Sequence, residues 1–212
     1  MKGYHETYVT DFSGHRLPPG WDAFNGVPGG DPGGQFNYRH LLVAQGLLRL
    51  KVWKDPLFHN HWVTAGLCNC GHPMTYGAFF VRSRVTGSGP NTAELLWPWG
   101  PVWPPEIDFS ENLGHLDLTT ATLHWAPGNQ TDFKVLHINI LRWHTWGVVW
   151  TPTSVTYVVD GRPWYTTRRA GTIPTIPMDV NIEQRTMCAI GRDCPTSPSA
   201  LLVDWVVQYQ AN

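Results

Sequence analysis

The stretch Glu106-Ile107-Asp108-Phe109-Ser110-Glu111 places three carboxylates within six residues. Ile107 and Phe109 alternate with Glu106 and Asp108, the period of a β-strand with one apolar and one polar face. On a regular strand Glu106, Asp108 and Ser110 would share a face and Glu111 would point the other way. One β-bulge around Ser110 returns Glu111 to the side of Glu106 and Asp108. Acids on one face repel one another, and folds keep such an arrangement mainly where chemistry uses it. One chemistry that needs it is retaining glycosidic-bond cleavage, in which one carboxylate attacks a sugar while a second, facing it, supplies the proton.

The rest of the chain reads as the frame for that strand. Apolar alternation predicts strands at 8–13, 36–43, 47–53, 77–86, 94–97, 120–125, 144–150, 155–159, 162–166, 178–184 and 202–209. Leu48, Leu50 and Val52 are expected to face inward. Asp160-Gly161 between two apolar runs is a hairpin signal, and Gln45-Gly46 joins another pair. With 21 Gly, 18 Pro and little helix-compatible sequence, the fold class is all-β. Two packed antiparallel sheets, a sandwich or jelly roll, bury such a pattern. The 212 residues form a single domain, 1–212, with no low-complexity linker. Gly20 to Gly34 is too long for a simple turn and is a functional candidate.

Composition excludes several roles. Lys plus Arg (15) nearly balance Asp plus Glu (16), the formal net charge is -1, and there is no basic run, so neither nucleic acid nor an anionic membrane is an expected partner. No apolar run reaches the ~20 residues of a membrane helix. The opening Met1-Lys2-Gly3-Tyr4 does not resemble a signal peptide, as expected of a trimmed mature chain with an added Met or of a cytosolic protein. Twelve Trp suggest a packed core plus indole faces exposed in a groove, where they can stack on ring ligands. Trp146, Trp150 and Trp205 lie in regular strand patterns and are assigned to packing. Cys188 and Cys194 could close a short loop by a disulfide. Cys68 and Cys70 are two residues apart, where a bond is strained, so long-range pairing or free thiols stay open, with zinc beside His72 the weaker alternative.

The residues in and around the acidic strand resemble glycoside hydrolase family 16. Its Glu-x-Asp-x-x-Glu signature is met at Glu106, Asp108 and Glu111. Tyr76-Gly77-Ala78-Phe79-Phe80-Val81-Arg82, Glu94-Leu95-Leu96-Trp97-Pro98 with Trp103-Pro104, Thr122-Leu123-His124-Trp125, Trp143-His144-Thr145-Trp146-Gly147, Val159-Asp160-Gly161 and Val203-Asp204-Trp205-Val206 are similar to further family segments, in family order. The resemblance runs from about Tyr8 to Tyr209. It implies a β-jelly roll of two curved sheets with a concave cleft. It also implies a secreted, monomeric, endo-acting enzyme that retains anomeric configuration on a β-linked polysaccharide, β-1,3-glucan or β-1,3-1,4-glucan first. A galactan hydrolase, a transglycosylase and a non-catalytic lectin-like binder are the alternatives on the same scaffold. By position Glu106 is the nucleophile, Glu111 the general acid/base and Asp108 the helper between them. No cofactor is needed for this chemistry. A structural calcium on the convex side would use Asp204 with backbone groups near Asp11 and Gly46.

Substrate-binding candidates are Trp97, Trp99, Trp103, His124, Trp125, Asn25, Arg39 and Glu94. The last departs from the family, which places a sugar-stacking Trp there; a carboxylate cannot stack, and it is expected either to pair with Arg82 or Arg84 or to mark a different sugar. Pro105, in place of a usual Gly, lacks an N–H and fits only where no ladder bond is needed.

Overall fold

The computed structural model describes residues 2–191 and 194–212. Among these it contains sixteen strands: β1 Tyr4–Thr10, β2 Asp22–Ala23, β3 Leu41–Ala44, β4 Leu47–Asp55, β5 His61–Val63, β6 Gly66–Cys68, β7 Gly77–Val85, β8 Asn91–Pro98, β9 Glu106–Glu111, β10 Leu118–Trp125, β11 Gln130–His137, β12 His144–Thr151, β13 Ser154–Val159, β14 Arg162–Thr167, β15 Met178–Arg185 and β16 Ser199–Ala211. Three short 3-10 turns are the helical content described. No helix is long and apolar enough to cross a membrane.

Two antiparallel sheets face each other. One runs β14-β13-β12-β7-β16-β4-β3, with β1 on β16 and β5 on β4; the other runs β11-β10-β9-β8-β15-β6-β2. Leu48, Leu50 and Val52 of β4, Phe79 and Val81 of β7, Leu96 of β8 and Ile107 and Phe109 of β9 meet between them, all buried. Trp146 and Trp150 are core residues, as expected, while Trp205 is half-buried. Both expected hairpin turns form with positive φ at each central residue: Gln45 and Gly46 at 56° and 68°, Asp160 and Gly161 at 50° and 75°. That geometry matches the twist of the flanking strands.

Several local expectations change. The first strand ends at Thr10, because Phe12 takes φ 52° and turns the chain. The strand expected at 36–43 is divided: Tyr38–His40 forms a 3-10 turn capped by Asn37, whose side chain accepts from the Arg39 N–H, and only Leu41–Ala44 pairs. The edge strand β11 carries no inward alternation that would mark it in the sequence: Phe133 and Val135 on it stand exposed. Cys68 bonds Cys70 and Cys188 bonds Cys194, with Cα separations of 5.1 and 4.6 Å. The Cys68–Cys70 pairing removes the thiolates that zinc would need. Arg192 and Asp193, inside the loop closed by the second bond, lie outside the described residues.

Glu94 is the largest correction. It points between the sheets, 2% exposed, and accepts a hydrogen bond from the Ser83 hydroxyl, which in turn accepts from Trp146 Nε1 at 3.0 Å. It pairs with neither Arg82 nor Arg84, and it cannot touch a ligand in a surface cleft. Burial pushes its pKa up to about 8, against the Ser83 hydrogen bond. Between pH 4.5 and 8 the unfolded chain ionises this carboxyl while the folded one keeps its proton, so its contribution to stability is lost as pH rises through that window. The loss amounts to about 1.4 kcal/mol per pH unit at most. Glu94→Gln should therefore gain stability relative to wild type between pH 5 and pH 8 in parallel thermal melts; a gap independent of pH would contradict a buried, protonated Glu94.

Candidate active site

β9 lies between β8 and β10, and its bulge decides the site. On the β8 side Ser110 pairs with Glu94 but Asp108 pairs with Leu95, so two steps of β9 match one of β8. On the β10 side Glu111 pairs with Thr120 and Asp108 with Thr122. The extra residue falls at Phe109-Ser110. Phe109 joins the core, Ser110 lies in register with inward-facing Glu94, and Glu111 emerges on the face of Glu106 and Asp108. The carbonyl of Glu111 is taken up by the hydroxyls of Thr120 (3.2 Å) and Thr119 (3.4 Å), and Ser110 Oγ meets Thr119 Oγ1 at 3.1 Å. These bonds satisfy groups that the bulge disturbs. Pro105 sits one residue ahead of the strand, where its missing N–H costs no ladder bond.

The three carboxylates differ in surroundings. Glu106 accepts from Trp103 Nε1 at 2.7 Å. Burial, then the neighbouring Asp108, push its pKa up to about 8, while Trp103 and the His124 charge oppose them. Burial likewise raises Asp108, whose Oδ2 lies 3.0 Å from His124 Nε2. The other ring nitrogen of His124 lies 2.7 Å from Asn129 Oδ1. Both nitrogens face oxygens, an arrangement that favours the doubly protonated imidazolium. Burial works against that charge, but Asp108 and Asn129 overcome it and lift the His124 pKa to about 9. Glu106 and Asp108 thus stand as a close pair beside one fixed positive charge.

Glu111 is held differently. Its Oε1 accepts from Asn91 Nδ2 at 2.7 Å and from an Arg185 terminal nitrogen at 3.3 Å. Arg185 also pairs through Nε with Glu183 at 3.0 Å and donates to the Gly29 carbonyl at 3.3 Å. Asp179, Asn181, Glu183 and Arg185 occupy alternate positions of β15 and line one wall of a cleft of about 940 Å³. Burial pushes Asp179 up to about 6 and Glu183 up to about 7, with Asn181 and Arg185 opposing respectively. Beside it the cleft lining is aromatic: Trp97, the cross-strand partner of Asp179, with Trp99 and Trp103, are 37%, 60% and 44% exposed, and Trp97 and Trp103 lie nearly parallel, ring centroids 6.1 Å apart. The loop containing Asn25, Pro28 and Gly30 completes the rim, as the length of the Gly20–Gly34 segment suggested.

Of the expected binding residues, Trp97, Trp99, Trp103 and Asn25 line the cleft, and His124 reaches Asp108. Asn25 also accepts from the Tyr38 N–H at 3.1 Å, which fixes its side chain. Trp125 does not take part: it alternates with His124, so it turns into the core at 8% exposure, with the Arg169 guanidinium over its ring. Arg39 stands exposed in the 3-10 turn, outside the cleft wall. Asn91, Glu183, Arg185 and Asn129 were not anticipated. The polar alternation in Asp179-Val180-Asn181-Ile182-Glu183-Gln184-Arg185 was the available signal for the β15 wall.

Of the residues expected to hold calcium on the other sheet, Asp204 forms an ion pair. Asp204 is bound by Arg82, whose guanidinium also lies 4.9 Å over the Trp143 ring. The Asp11 side chain accepts from the Ser13 N–H at 3.0 Å, and its carbonyl lies beside Gly46. The chain itself supplies the positive charge at Asp204, so the donor set as it stands does not fit calcium.

A jelly roll with paired acids on a bulged strand, facing an aromatic cleft, defines a class of carbohydrate-active proteins. The family model described as glycosyl hydrolases family 16 matches residues 37–206, and the chain belongs to that family. No sequence among the curated proteins matches it. Similar solved structures include the laminarinase from Rhodothermus marinus (21% identity, TM-score 0.85, covering 99% of this chain and 98% of that one). Others are the laminarinase catalytic domain from Thermotoga maritima MSB8 (19%, 0.84, all of both chains) and the endo-β-1,3-glucanase from Pyrococcus furiosus (19%, 0.83, 99% and 95%). At these identities the likeness establishes the shared fold.

The His124 imidazolium favours ionisation of the Glu106–Asp108 pair. Replacing it with neutral Gln should move the acidic limb of the kcat/KM profile to higher pH by about one unit. A limb left in place would show that this charge does not govern the pair.

Proposed function

We propose that the chain is an endo-acting, retaining glycoside hydrolase of a β-linked glucan. The observation that carries this reading is the bulge-set face of Glu106, Asp108 and Glu111 at the edge of a cleft walled by three exposed indoles. Glu106 attacks the anomeric carbon to form a glycosyl-enzyme. Glu111 first protonates the leaving oxygen and then takes a proton from the incoming water. Trp103 holds one oxygen of Glu106 in place. Asp108, bonded to His124, adjusts the charge on Glu106 as the nucleophile is consumed and restored. No metal is required in this sequence of steps.

Trp97, Trp99 and Trp103 offer faces on which pyranose rings can stack. β-1,3-glucan is the first substrate to test, because the similar structures are described as laminarinases and an endo-β-1,3-glucanase. Mixed-linkage glucan is the next. Two disulfides fit work in an oxidising, extracellular setting.

A hydrolysis screen over laminarin, lichenan, agarose, carrageenan and β-1,3-galactan, with product anomers followed by NMR, tests the reading. Early products should be β-anomers from an internal cleavage pattern. Glu106→Gln should abolish turnover, and Glu111→Gln should reduce it by about 10²–10⁴-fold on polymer. Inverted products, or full activity in Glu106→Gln, would overturn the assignment. With added oligosaccharide acceptor, transfer products outpacing hydrolysis would mark a transglycosylase.

A further inference from the structure

β8 separates β9 from β15, so a side chain on β15 can meet Glu111 only by reaching across a whole strand. Neighbouring strands lie about 4.8 Å apart. The residue between is Ala93, paired with Glu111 on one side and with Glu183 on the other. Its methyl group is the smallest side chain that leaves the row open. Two pairs further along, on the same face, Arg185 is registered with Asn91, and both reach Glu111.

The two donors converge on the same atom. Asn91 and Arg185 both address Oε1 of Glu111. A carboxyl oxygen receiving an amide N–H and a guanidinium N–H has no use for a proton of its own, since a third hydrogen there would face two donors. Arg185 is charged at every working pH, and it is fixed from two further sides by Glu183 and by the Gly29 carbonyl. Glu183 offsets the guanidinium charge and keeps its geometry. The other charged groups facing this corner are Glu106 and Asp108 on β9, His124 on β10 and Asp31 on the cleft loop, which is itself tied to the Thr186 and Met187 N–H groups at 3.1 and 3.2 Å.

We propose that Arg185, with Asn91, is a positioning residue for proton transfer: it holds Oε1 of Glu111 and so assigns Oε2 as the oxygen that carries the proton to the leaving group. This rests on the reading of Glu111 as the general acid/base. The hydrogen bond to Gly29 and the ion pair with Glu183 make the same guanidinium a tie between the cleft loop, the β15 wall and the acid, so loop placement and proton delivery are set together.

The test compares two substrates. An aryl β-glycoside with a dinitrophenol leaving group departs without proton assistance, whereas a polysaccharide bond requires it. Arg185→Met should lose about 10–100-fold in glycosylation rate on polymer, less than the loss of the acid itself. It should stay within about 3-fold of wild type on the dinitrophenyl glycoside. Arg185→Lys keeps the charge without the fork and should show the same selectivity with a smaller loss, which covers the case in which Arg185→Met does not fold. Equal losses on both substrates in a folded variant, or no loss on either, would overturn the inference. Glu111→Gln is the reference: if it lacks the leaving-group selectivity, the general-acid assignment fails, whereas selectivity in Glu111→Gln but not in the Arg185 variants defeats the positioning role alone.

Discussion

The bulge at Phe109-Ser110 is the constraint on which the rest depends. Without it Glu111 would point into the sandwich, where an ionisable group meets a large desolvation cost. With it, three carboxylates crowd one face, and their repulsion has to be met by neighbours. The structure meets it with His124 as an imidazolium against Asp108, the Trp103 N–H against Glu106, and Asn91 with Arg185 against Glu111. Each acid has a different partner, and in the proposed mechanism that difference separates the roles of Glu106 and Glu111.

The same register that builds the site also explains Glu94. It is paired with Ser110, the residue the bulge turns inward, and so it lies on the core side of β8 while Leu95 and Trp97 take the cleft side. A position where the family commonly offers a sugar platform is used here for a buried polar contact with Ser83 and Trp146. The aromatic wall is supplied instead by Trp97, Trp99 and Trp103.

Much of this was legible in the residues. The alternation about Glu106–Glu111 demanded a bulge, the Asp160-Gly161 turn followed from its two φ-positive residues, and the exposed tryptophans beside the acids proved to line the cleft. What escaped has physical reasons. Trp125 alternates with His124 and could not face the cleft if His124 did. The β15 wall comes into contact with Glu111 only across β8, a relation between residues 74 apart in the chain that no local pattern reveals. Arg82 and Asp204 lie on neighbouring strands β7 and β16 and neutralise each other; in the sequence each looked available to another partner.

The central claim is that Glu106 is the atom donor to a covalent intermediate. Incubating the enzyme with an activated 2-deoxy-2-fluoro β-1,3-linked glucosyl donor, followed by proteolysis and mass spectrometry, tests it directly. The account predicts a single glycosyl label on the peptide containing Glu106, assigned to that side chain by fragmentation. A label on Glu111 or Glu183, or hydrolysis of the donor with no covalent adduct at any time, would contradict it.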